Sequence, residues 1–335
     1  MTELMRALVA SNVHAKPELC QIPRPQIKPH EVLVAVAAAS INPVDHKYRL
    51  LHYSLKQVTK YPLTLGNDFS GTVVASGAQV HAFKAGDQVY GRTNHDQMGT
   101  FANYLAVDQA AIAKVPTNLS LTEAAAVPLV GLTAYQALAE VLNLQAGQKI
   151  FINAGSGGVG TMAIQLAHAQ GANVTTTVSE RNRQLVTDLG ADQVLDYHQV
   201  DFATILQNYD AVFDTHGGAD TEKGLKILRP GGKLVMIAGL PTTTYAREHR
   251  LGKARELAFA LASHHTVKLA RKQQADYQFL LMHASGQQLQ QLTRLIEANK
   301  LRPIIDQTYP FAAIQQALTY AGQGHVTGKV VASMI

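Results

Sequence analysis

The sequence predicts an α/β protein in which a doubly wound parallel sheet is joined to a second domain of short β-strands. Two patterns lead to this prediction. Between residues 149 and 238, short apolar strands alternate with helices, which is typical of a parallel sheet with helices on both faces. Before residue 120, short strands follow one another closely between turn residues, which favours a small β-barrel or sandwich. The 335 residues are enough to form two such cores.

The N-terminal region is predicted to be almost entirely β-structure, with a proline-rich turn at residues 23–29. The predicted strands are 5–11, 31–38, 71–76, 87–90 and 101–107.

A different pattern begins at Ser120, because Ser-Leu-Thr-Glu can form a capping box at the start of a helix. This helix is predicted to reach Leu142, with a kink near Pro128. The strands that follow are predicted at 149–154, 173–178, 193–195, 210–214 and 232–238, with helices at 161–170, 181–188, 201–207 and 220–228. Residues 242–272 are rich in Lys, Arg and His and are predicted to form a helix and loops at the surface. The last predicted elements are a strand at 277–283, a helix at 287–298 and a strand at 328–334.

A glycine-rich turn lies between the first strand and helix of the alternating region. Strand, G-x-G-x-x-G and helix in that order are the context of a dinucleotide-binding fingerprint. The glycines allow a sharp turn, close approach to a pyrophosphate and helix–strand packing, and the helix N-terminus faces the phosphates. The alternative is a glycine-rich loop that binds nothing. The candidate phosphate-binding residues are Gly155, Ser156, Gly157, Gly158, Val159 and Gly160.

The composition excludes several classes of protein. Apolar residues make up 47% and charged residues 16%, which is an ordinary globular balance. The net charge of +5 is mildly basic, and no dense Lys/Arg run indicates a nucleic-acid partner. The longest uncharged stretch, residues 124–139, contains Pro128 and Gly131 and is too short to span a bilayer, so no membrane partner is expected.

The N-terminal residues and the cysteine content bear on the compartment. Glu3 and Arg6 interrupt the N-terminal apolar residues, which is unlike a secretory signal. A single cysteine, Cys20, excludes internal disulfides and a Cys-rich zinc site. A cytoplasmic location is therefore expected.

Beyond these patterns, the chain resembles the zinc-free branch of the medium-chain dehydrogenase/reductase family, the quinone oxidoreductase-like proteins. The resemblance covers essentially the whole chain, and its motifs occur in the family's order. They are INPVD (41–45), LGNDFSG (65–71), GDQVYG (86–91), GTFANYLAV (99–107), PLVGLTAYQAL (128–138), AGSGGVG (154–160), LGADQVLDY (189–197), KLRPIID (300–306) and GKVV (328–331).

The resemblance implies a GroES-like β-barrel built from both ends of the chain and a Rossmann domain between them. The implied limits are 1–121 with 285–335 for the barrel and 122–284 for the Rossmann domain. The last strand would then pair within the barrel.

The resemblance also bears on metal dependence. Zinc-dependent relatives have Cys and His where this chain has Asn42 and Asn67. The 14 histidines are scattered and form no H-E-x-x-H motif. No metal site is therefore predicted.

The choice of nicotinamide cofactor depends on the end of the second Rossmann strand, where an acidic residue would bind the ribose of NAD. Ser179 occupies that position, followed by Arg181 and Arg183, whose guanidinium groups suit a phosphate. NADPH is therefore predicted, with Glu180 turned to solvent. The alternative for both arginines is a solvated first helical turn.

Further cofactor contacts are implied by the resemblance. Asn182 replaces a lysine found in many relatives, which weakens or displaces one cationic contact, and Tyr197 matches a tyrosine near the 2′-phosphate. Thr133 matches a position near the nicotinamide ribose, and Gly239 and Leu240 follow the fifth Rossmann strand. Lys329 could reach the cofactor from the last barrel strand, the alternative being an ordinary exposed lysine.

The predicted chemistry is hydride transfer to a quinone or to the C=C bond of an α,β-unsaturated carbonyl, and the sequence does not separate these two. The carbonyl oxygen needs a hydrogen-bond donor, for which Asn42, Lys47 and Tyr53 are candidates. Asp45 is the fourth candidate, in a role that fixes Lys47 or the loop. The alternative is a polar loop bonded to itself or to water, with solvent as the proton donor.

A second functional class stays open, namely a non-enzymatic NADPH-binding member of the fold that binds RNA or acts as a sensor. The absence of tryptophan and of a basic, aromatic stripe argues against RNA. A homodimer is predicted through residues 233–238, interpreted as an open sheet edge.

Overall fold

The computed structural model describes residues 3–46, 61–94, 97–239 and 241–334. The described residues divide into two compact units, one within Met1–Leu132 and His283–Ile335 and the other within Thr133–Met282. The strands are β1 (Leu4–Ala10), β2 (Glu18–Pro23), β3 (Glu31–Ile41), β4 (Leu63–Thr64), β5 (Asp68–Ser76), β6 (Gln88–Arg92), β7 (Tyr104–Asp108), β8 (Ile112–Lys114), β9 (Lys149–Ile152), β10 (Asn173–Val178), β11 (Gln193–Asp196), β12 (Tyr209–Asp214), β13 (Leu228–Met236), β14 (Asp276–Phe279), β15 (Ile305–Pro310) and β16 (Lys329–Ser333). The helices are α1 (Pro43–His46), α2 (Leu121–Ala125), α3 (Pro128–Tyr135), α4 (Gly158–Ala169), α5 (Arg183–Asp188), α6 (Phe202–Ile205), α7 (Ala219–Ile227), α8 (Thr243–Glu248), α9 (Lys253–Lys272), α10 (Gly286–Glu297) and α11 (Ile314–Gly322).

The first unit, called the β-unit below, contains two sheets. One has the strand order β2-β1-β4, and the other has the order β15-β16-β3-β5-β6-β8, with β7 paired to β3. The C-terminal strand β16 pairs antiparallel with β3, with Val330 opposite Ile41. The two ends of the chain therefore form one sheet, which confirms the predicted position of the last strand. Buried Val34, Phe69 and Val89 belong to the apolar core of this unit.

The second unit, called the Rossmann unit below, contains a parallel sheet with the order β11-β10-β9-β12-β13-β14. Its core includes Phe151, whose ring stacks on Phe202 at 4.3 Å between centroids. The α/β fold class is confirmed. The prediction that residues 233–238 form an open edge is wrong, because β13 lies between β12 and β14. An internal strand is covered on both faces by helices, which explains why its sequence is apolar on both faces.

The predicted helix that begins after Ser120 is divided in two. The capping box is confirmed, since Ser120 Oγ accepts from the backbone N–H of Glu123 and the Glu123 carboxylate accepts from that of Ser120. Helix α2 ends at Ala125 and α3 begins at Pro128, because proline has no N–H to donate but suits a first helical position. A π-helical turn over Gln136–Val141 completes the segment.

The predicted domain limits stay a prediction, and the compact units divide the chain at slightly different positions. Helix α2 packs on β3 and β5, and Ala125 and Ala126 form an apolar cluster with Ala38 and Val331. These contacts join the helix to the β-unit. In the part of the chain that the structure describes, no helix combines the length and the apolar character needed to cross a bilayer.

Candidate functional site: a glycine loop and a buried ionic network

The glycine loop joins β9 to α4 in the Rossmann unit. A Cβ on Gly155 would lie 2.2 Å from Thr176 Oγ1, and one on Gly160 would lie 2.3 Å from the carbonyl oxygen of Ala154. Real side-chain atoms cannot come this close. Gly155 therefore allows the loop to pack against β10, and Gly160 allows the start of the helix to pack against the loop. The helix begins at Gly158, three residues before the predicted start.

Gly157 has a different environment from the other two glycines of the motif. It is the N-cap residue of α4, and a Cβ placed on it would have the Ala154 carbonyl at 3.4 Å as its nearest neighbour. Residues 156–159 are partly exposed and precede the helix N-terminus, whose first N–H groups have no partner within the helix. This cradle fits the pyrophosphate of a dinucleotide, and the prediction that Ser156, Gly158 and Val159 would contribute backbone groups stays a prediction.

The turn after β10 contains the residues predicted to determine whether the chain binds NADPH or NADH. Ser179 is half-buried and precedes a single 3₁₀ turn, Glu180–Asn182, in which Asn182 is half-buried. The guanidinium of Arg183 donates to the Glu180 carboxylate at 2.8 Å and to the carbonyl oxygen of Val194 at 2.8 Å. Arg183 is therefore held within the turn, whereas the neighbouring Arg181 is exposed. Glu180 is exposed, as predicted.

The other predicted cofactor residues lie at several places. Thr133 is buried on α3, and Tyr197 is 57% exposed just after β11. Gly239 adopts a φ of +97°, which only glycine takes readily. Leu240 lies outside the described residues. Their roles in cofactor binding stay predictions.

Lys329 lies in a buried ionic network of the β-unit. Its side chain is 4% exposed, so the alternative of an ordinary exposed lysine is wrong. Lys329 Nζ donates to the carbonyl oxygen of Ile41 at 2.7 Å and to Asn42 Oδ1, and it lies 3.8 Å from a carboxylate oxygen of Asp68. The cation therefore stands between the Asn42 amide and the Asp68 carboxylate.

Asp68 is the centre of one half of this network. Its Oδ2 accepts from Ser40 Oγ at 2.8 Å and from Asn42 Nδ2 at 2.9 Å, and its Oδ1 accepts from the backbone N–H of Leu129 at 2.9 Å. Both ends of the Asn42 amide are therefore bonded inside the protein, one to Lys329 and one to Asp68. Neither Ser40 nor Asp68 was singled out from the sequence, where a lone acidic residue beside an apolar strand gives little signal.

The other half of the network is formed by Asp45, Asn67 and Arg92. Asp45 accepts from the backbone N–H of Asn42 at 2.7 Å and from Asn67 Nδ2 at 2.6 Å. Arg92, fully buried, donates to Asn67 Oδ1 at 3.2 Å. Asp45 therefore fixes the loop, as predicted, but through Asn42 and Asn67. Lys47 and Tyr53 lie outside the described residues.

Burial governs the pKa values in this network. It raises the pKa of Asp45 to about 7 and raises that of Asp68, in each case against hydrogen bonds that favour the ionised form. Burial lowers the pKa of Lys329 and lowers that of Arg92 to about 10. With all four groups ionised, the two buried carboxylates and the two buried cations balance in charge, and protonation of one carboxylate alone leaves a net positive charge.

The raised pKa of Asp45 leads to a prediction about stability. Above an unfolded pKa of 3.8 and below a folded pKa of about 7, the folded chain retains a proton that the unfolded chain has lost. The free energy of unfolding should therefore fall as the pH rises across this range. Asp45→Asn should reduce this slope by up to about 1.4 kcal/mol per pH unit, measured by urea unfolding between pH 4 and pH 8. Equal slopes in the two proteins would contradict the assignment.

A further polar cluster in the Rossmann unit has a structural role. Asp214 accepts from Asn153 Nδ2 at 2.7 Å, from the backbone N–H of His216 at 2.9 Å and from the Thr221 hydroxyl. The carboxylate thus ties the end of β12 to β9 and α7.

The donor set of the β-unit does not suit zinc. Asn42 and Asn67 occupy the positions predicted for metal ligands in relatives, but their amide oxygens accept from Lys329 and Arg92. A divalent cation beside two buried cations would be repelled. Among the residues that the structure describes, no three His, Cys, Asp or Glu side chains form a group able to hold a metal ion.

The chain is similar in sequence and fold to known dehydrogenases and reductases. Residues 28–117 match the alcohol dehydrogenase GroES-like domain, and residues 189–331 match a family described as zinc-binding dehydrogenase. The chain is 34% identical to the 2-methylene-furan-3-one reductase of Solanum lycopersicum, covering 92% of this chain and 72% of that protein. It is 32% identical to an Arabidopsis thaliana chloroplastic NADPH-dependent alkenal/one oxidoreductase, covering 92% and 73%. The structure of a Coxiella burnetii quinone oxidoreductase superposes with a TM-score of 0.85 at 30% identity, covering 99% of this chain and all of that one.

Proposed function

Because this chain belongs to the quinone oxidoreductase-like branch of the medium-chain dehydrogenase/reductase family, we propose that it is an NADPH-dependent oxidoreductase that reduces quinones or the C=C bond of α,β-unsaturated carbonyls. The observation that carries the proposal is the cradle around Gly157, which leaves room for a pyrophosphate at the start of α4. Bound NADPH would supply the hydride. The chain's own residues would bind and orient the cofactor and substrate.

In enone reduction, negative charge develops on the carbonyl oxygen, which requires a hydrogen-bond donor. Asn42 Nδ2 donates at 2.9 Å to Asp68 and at a long 3.4 Å to the carbonyl oxygen of Ser40, so its second N–H is weakly held. We retain Asn42 as a proposed donor on this ground. Lys47 and Tyr53 remain candidates for the same role.

The test is nicotinamide oxidation at 340 nm, with NADPH and NADH each offered with a quinone and with an enone, followed by product analysis. Turnover with NADPH supports the proposal, and a saturated ketone product selects C=C reduction. Tight NADPH binding without turnover of either substrate class would instead favour a non-enzymatic member of the fold.

Cofactor choice gives a second prediction. Arg181 is exposed in the turn after β10 and is the arginine proposed to meet the 2′-phosphate, and the Arg183 guanidinium donates to Glu180 and to the carbonyl oxygen of Val194. Arg181→Ala should raise KM for NADPH about tenfold and leave KM for NADH unchanged, because one charge-assisted contact to the 2′-phosphate is lost. Arg183→Ala is the matched control and should have a smaller effect. An equal loss with both cofactors would contradict the role of Arg181.

We also propose that the reaction needs no zinc, which is supported by the cations bonded to Asn42 and Asn67. Dialysis against a zinc chelator should leave kcat/KM unchanged within about twofold, since no Lewis acid takes part. Loss of activity that added zinc restores would contradict this.

The assembly and location of the chain are further proposals. We retain the homodimer and propose that it forms through β14, which is the last strand of the parallel sheet among the described residues. Light scattering tests it, and a monomer would contradict it. A cytoplasmic location is proposed on the cysteine content alone.

A further inference from the structure

Helix α9 of the Rossmann unit carries apolar side chains on its outer face. Leu257 is 63% exposed and Leu261 is 72% exposed, one helical turn apart. The residues that α9 buries are Phe259, Ser263 and Ala270, which lie on the opposite side of the helix. A 20-residue helix that directs two leucines into solvent has an outer face suited to a partner.

The same face is basic. Six exposed residues follow a spacing of three or four along α9, so they share one face about 120° wide, called the outer stripe below. The outer stripe consists of Lys253, Leu257, Leu261, His265, Lys268 and Lys272. Lysines thus lie at both ends of the stripe and the leucines lie between them. Arg271, also exposed, flanks the stripe at its basic C-terminal end.

Two of the acidic groups near this face are paired with basic side chains. Glu256 accepts from Arg247 at 3.2 Å, and Glu222 of α7 is 2.9 Å from His265. Residues 242–272 contain seven Lys and Arg against two Glu, a surplus of five that equals the formal net charge of the whole chain. The excess positive charge of the chain is therefore equal to that of this one segment, which includes α9.

We propose that the outer stripe docks on the surface of a membrane that contains anionic lipids. Exposed leucines between cations match an interfacial helix, whose apolar side chains enter the acyl boundary while lysines meet the headgroups. A second copy of the chain is disfavoured, because two such faces would repel each other. A nucleic acid would leave the leucines without an apolar environment. The proposed docking does not depend on the proposed reaction. It differs from the expectation of no membrane partner, which rested on the lack of a segment long enough to span a bilayer.

The test is co-sedimentation of the full chain with vesicles of phosphatidylcholine alone or with one quarter phosphatidylglycerol. Binding should be at least about tenfold stronger to the anionic vesicles and should weaken strongly in 0.5 M salt. Two variants test the apolar and the electrostatic contributions to binding separately. The apolar variant is the double substitution Leu257→Ser with Leu261→Ser. The charge variant is the triple substitution Lys268→Glu, Arg271→Glu and Lys272→Glu. Each variant should bind the anionic vesicles about tenfold or more weakly than the wild type.

A matched control carries the same charge change on the β-unit, as Lys16→Glu with Lys84→Glu and Lys300→Glu. The control should retain at least half of the wild-type binding, and NADPH affinity should be unchanged in every variant. Absence of sedimentation, an equal loss in the control, or binding only to RNA or to an acidic protein would overturn the proposal.

Discussion

Replacing Lys329 with methionine is expected to lower the free energy of unfolding by about 3 kcal/mol, as measured by urea denaturation near pH 7. Lys329 is buried beside Asp68 and donates to Asn42 and to the carbonyl oxygen of Ile41. Methionine fills a similar volume but leaves the Asp68 carboxylate without its nearest cation. An uncompensated buried charge is costly because the interior cannot solvate it.

The double variant Lys329→Met with Asp68→Asn is the control for volume and packing. It removes both charges, so it should recover more than half of the lost stability. Equal losses in the single and double variants would show that packing, and not charge, sets the effect. The NADPH dissociation constant of Lys329→Met tests the predicted cofactor contact of this residue separately.

The second large effect is expected at the glycine loop. Gly160→Ala should lower the free energy of unfolding by about 2 kcal/mol, because its Cβ would meet backbone atoms of Ala154 and Gly155 that cannot move independently. NADPH binding should be lost with it, since the helix N-terminus would shift. Thermal unfolding and fluorescence titration with NADPH measure the two effects.

Gly157→Ala is the matched variant in the same loop. Its φ of −74° suits alanine and its Cβ has room, so stability should stay within about 0.5 kcal/mol of wild type. NADPH affinity should nevertheless fall about tenfold or more, because the added methyl would take space needed by the pyrophosphate. Wild-type affinity in this variant would contradict the proposed cradle.

Much of the Rossmann unit could be predicted from the sequence, because its signals are local. The strand at 173–178 has its predicted bounds. In the β-unit, the capping box at Ser120 is an equally local signal, and it forms as predicted. Strand β2 and the elements β15 and α11 were not predicted. Strands β2 and β15 are largely exposed, so neither has the apolar alternation that identifies a strand.

In the turn after β10, the sequence also could not predict which partner each arginine has. Two arginines follow Ser179 in the sequence, each with a guanidinium that suits a phosphate, and Arg181 was the one predicted to bind it. The tertiary structure separates them, since Arg183 reaches Val194 on the neighbouring strand β11 and Arg181 does not contribute to that contact. The carbonyl that distinguishes them is eleven residues away along the chain, which no local pattern reports.

The sequence by itself determined the family, the fold class and the glycine loop, because each rests on residue types at fixed short spacings. Only the tertiary structure decided the partners of Asn42, Asp45 and Lys329, because their hydrogen bonds join residues up to 288 positions apart. It also decided that β13 is internal and that the outer stripe of α9 faces solvent. Burial and long-range pairing depend on how the elements pack, and the same residues would be ordinary surface charges in another packing.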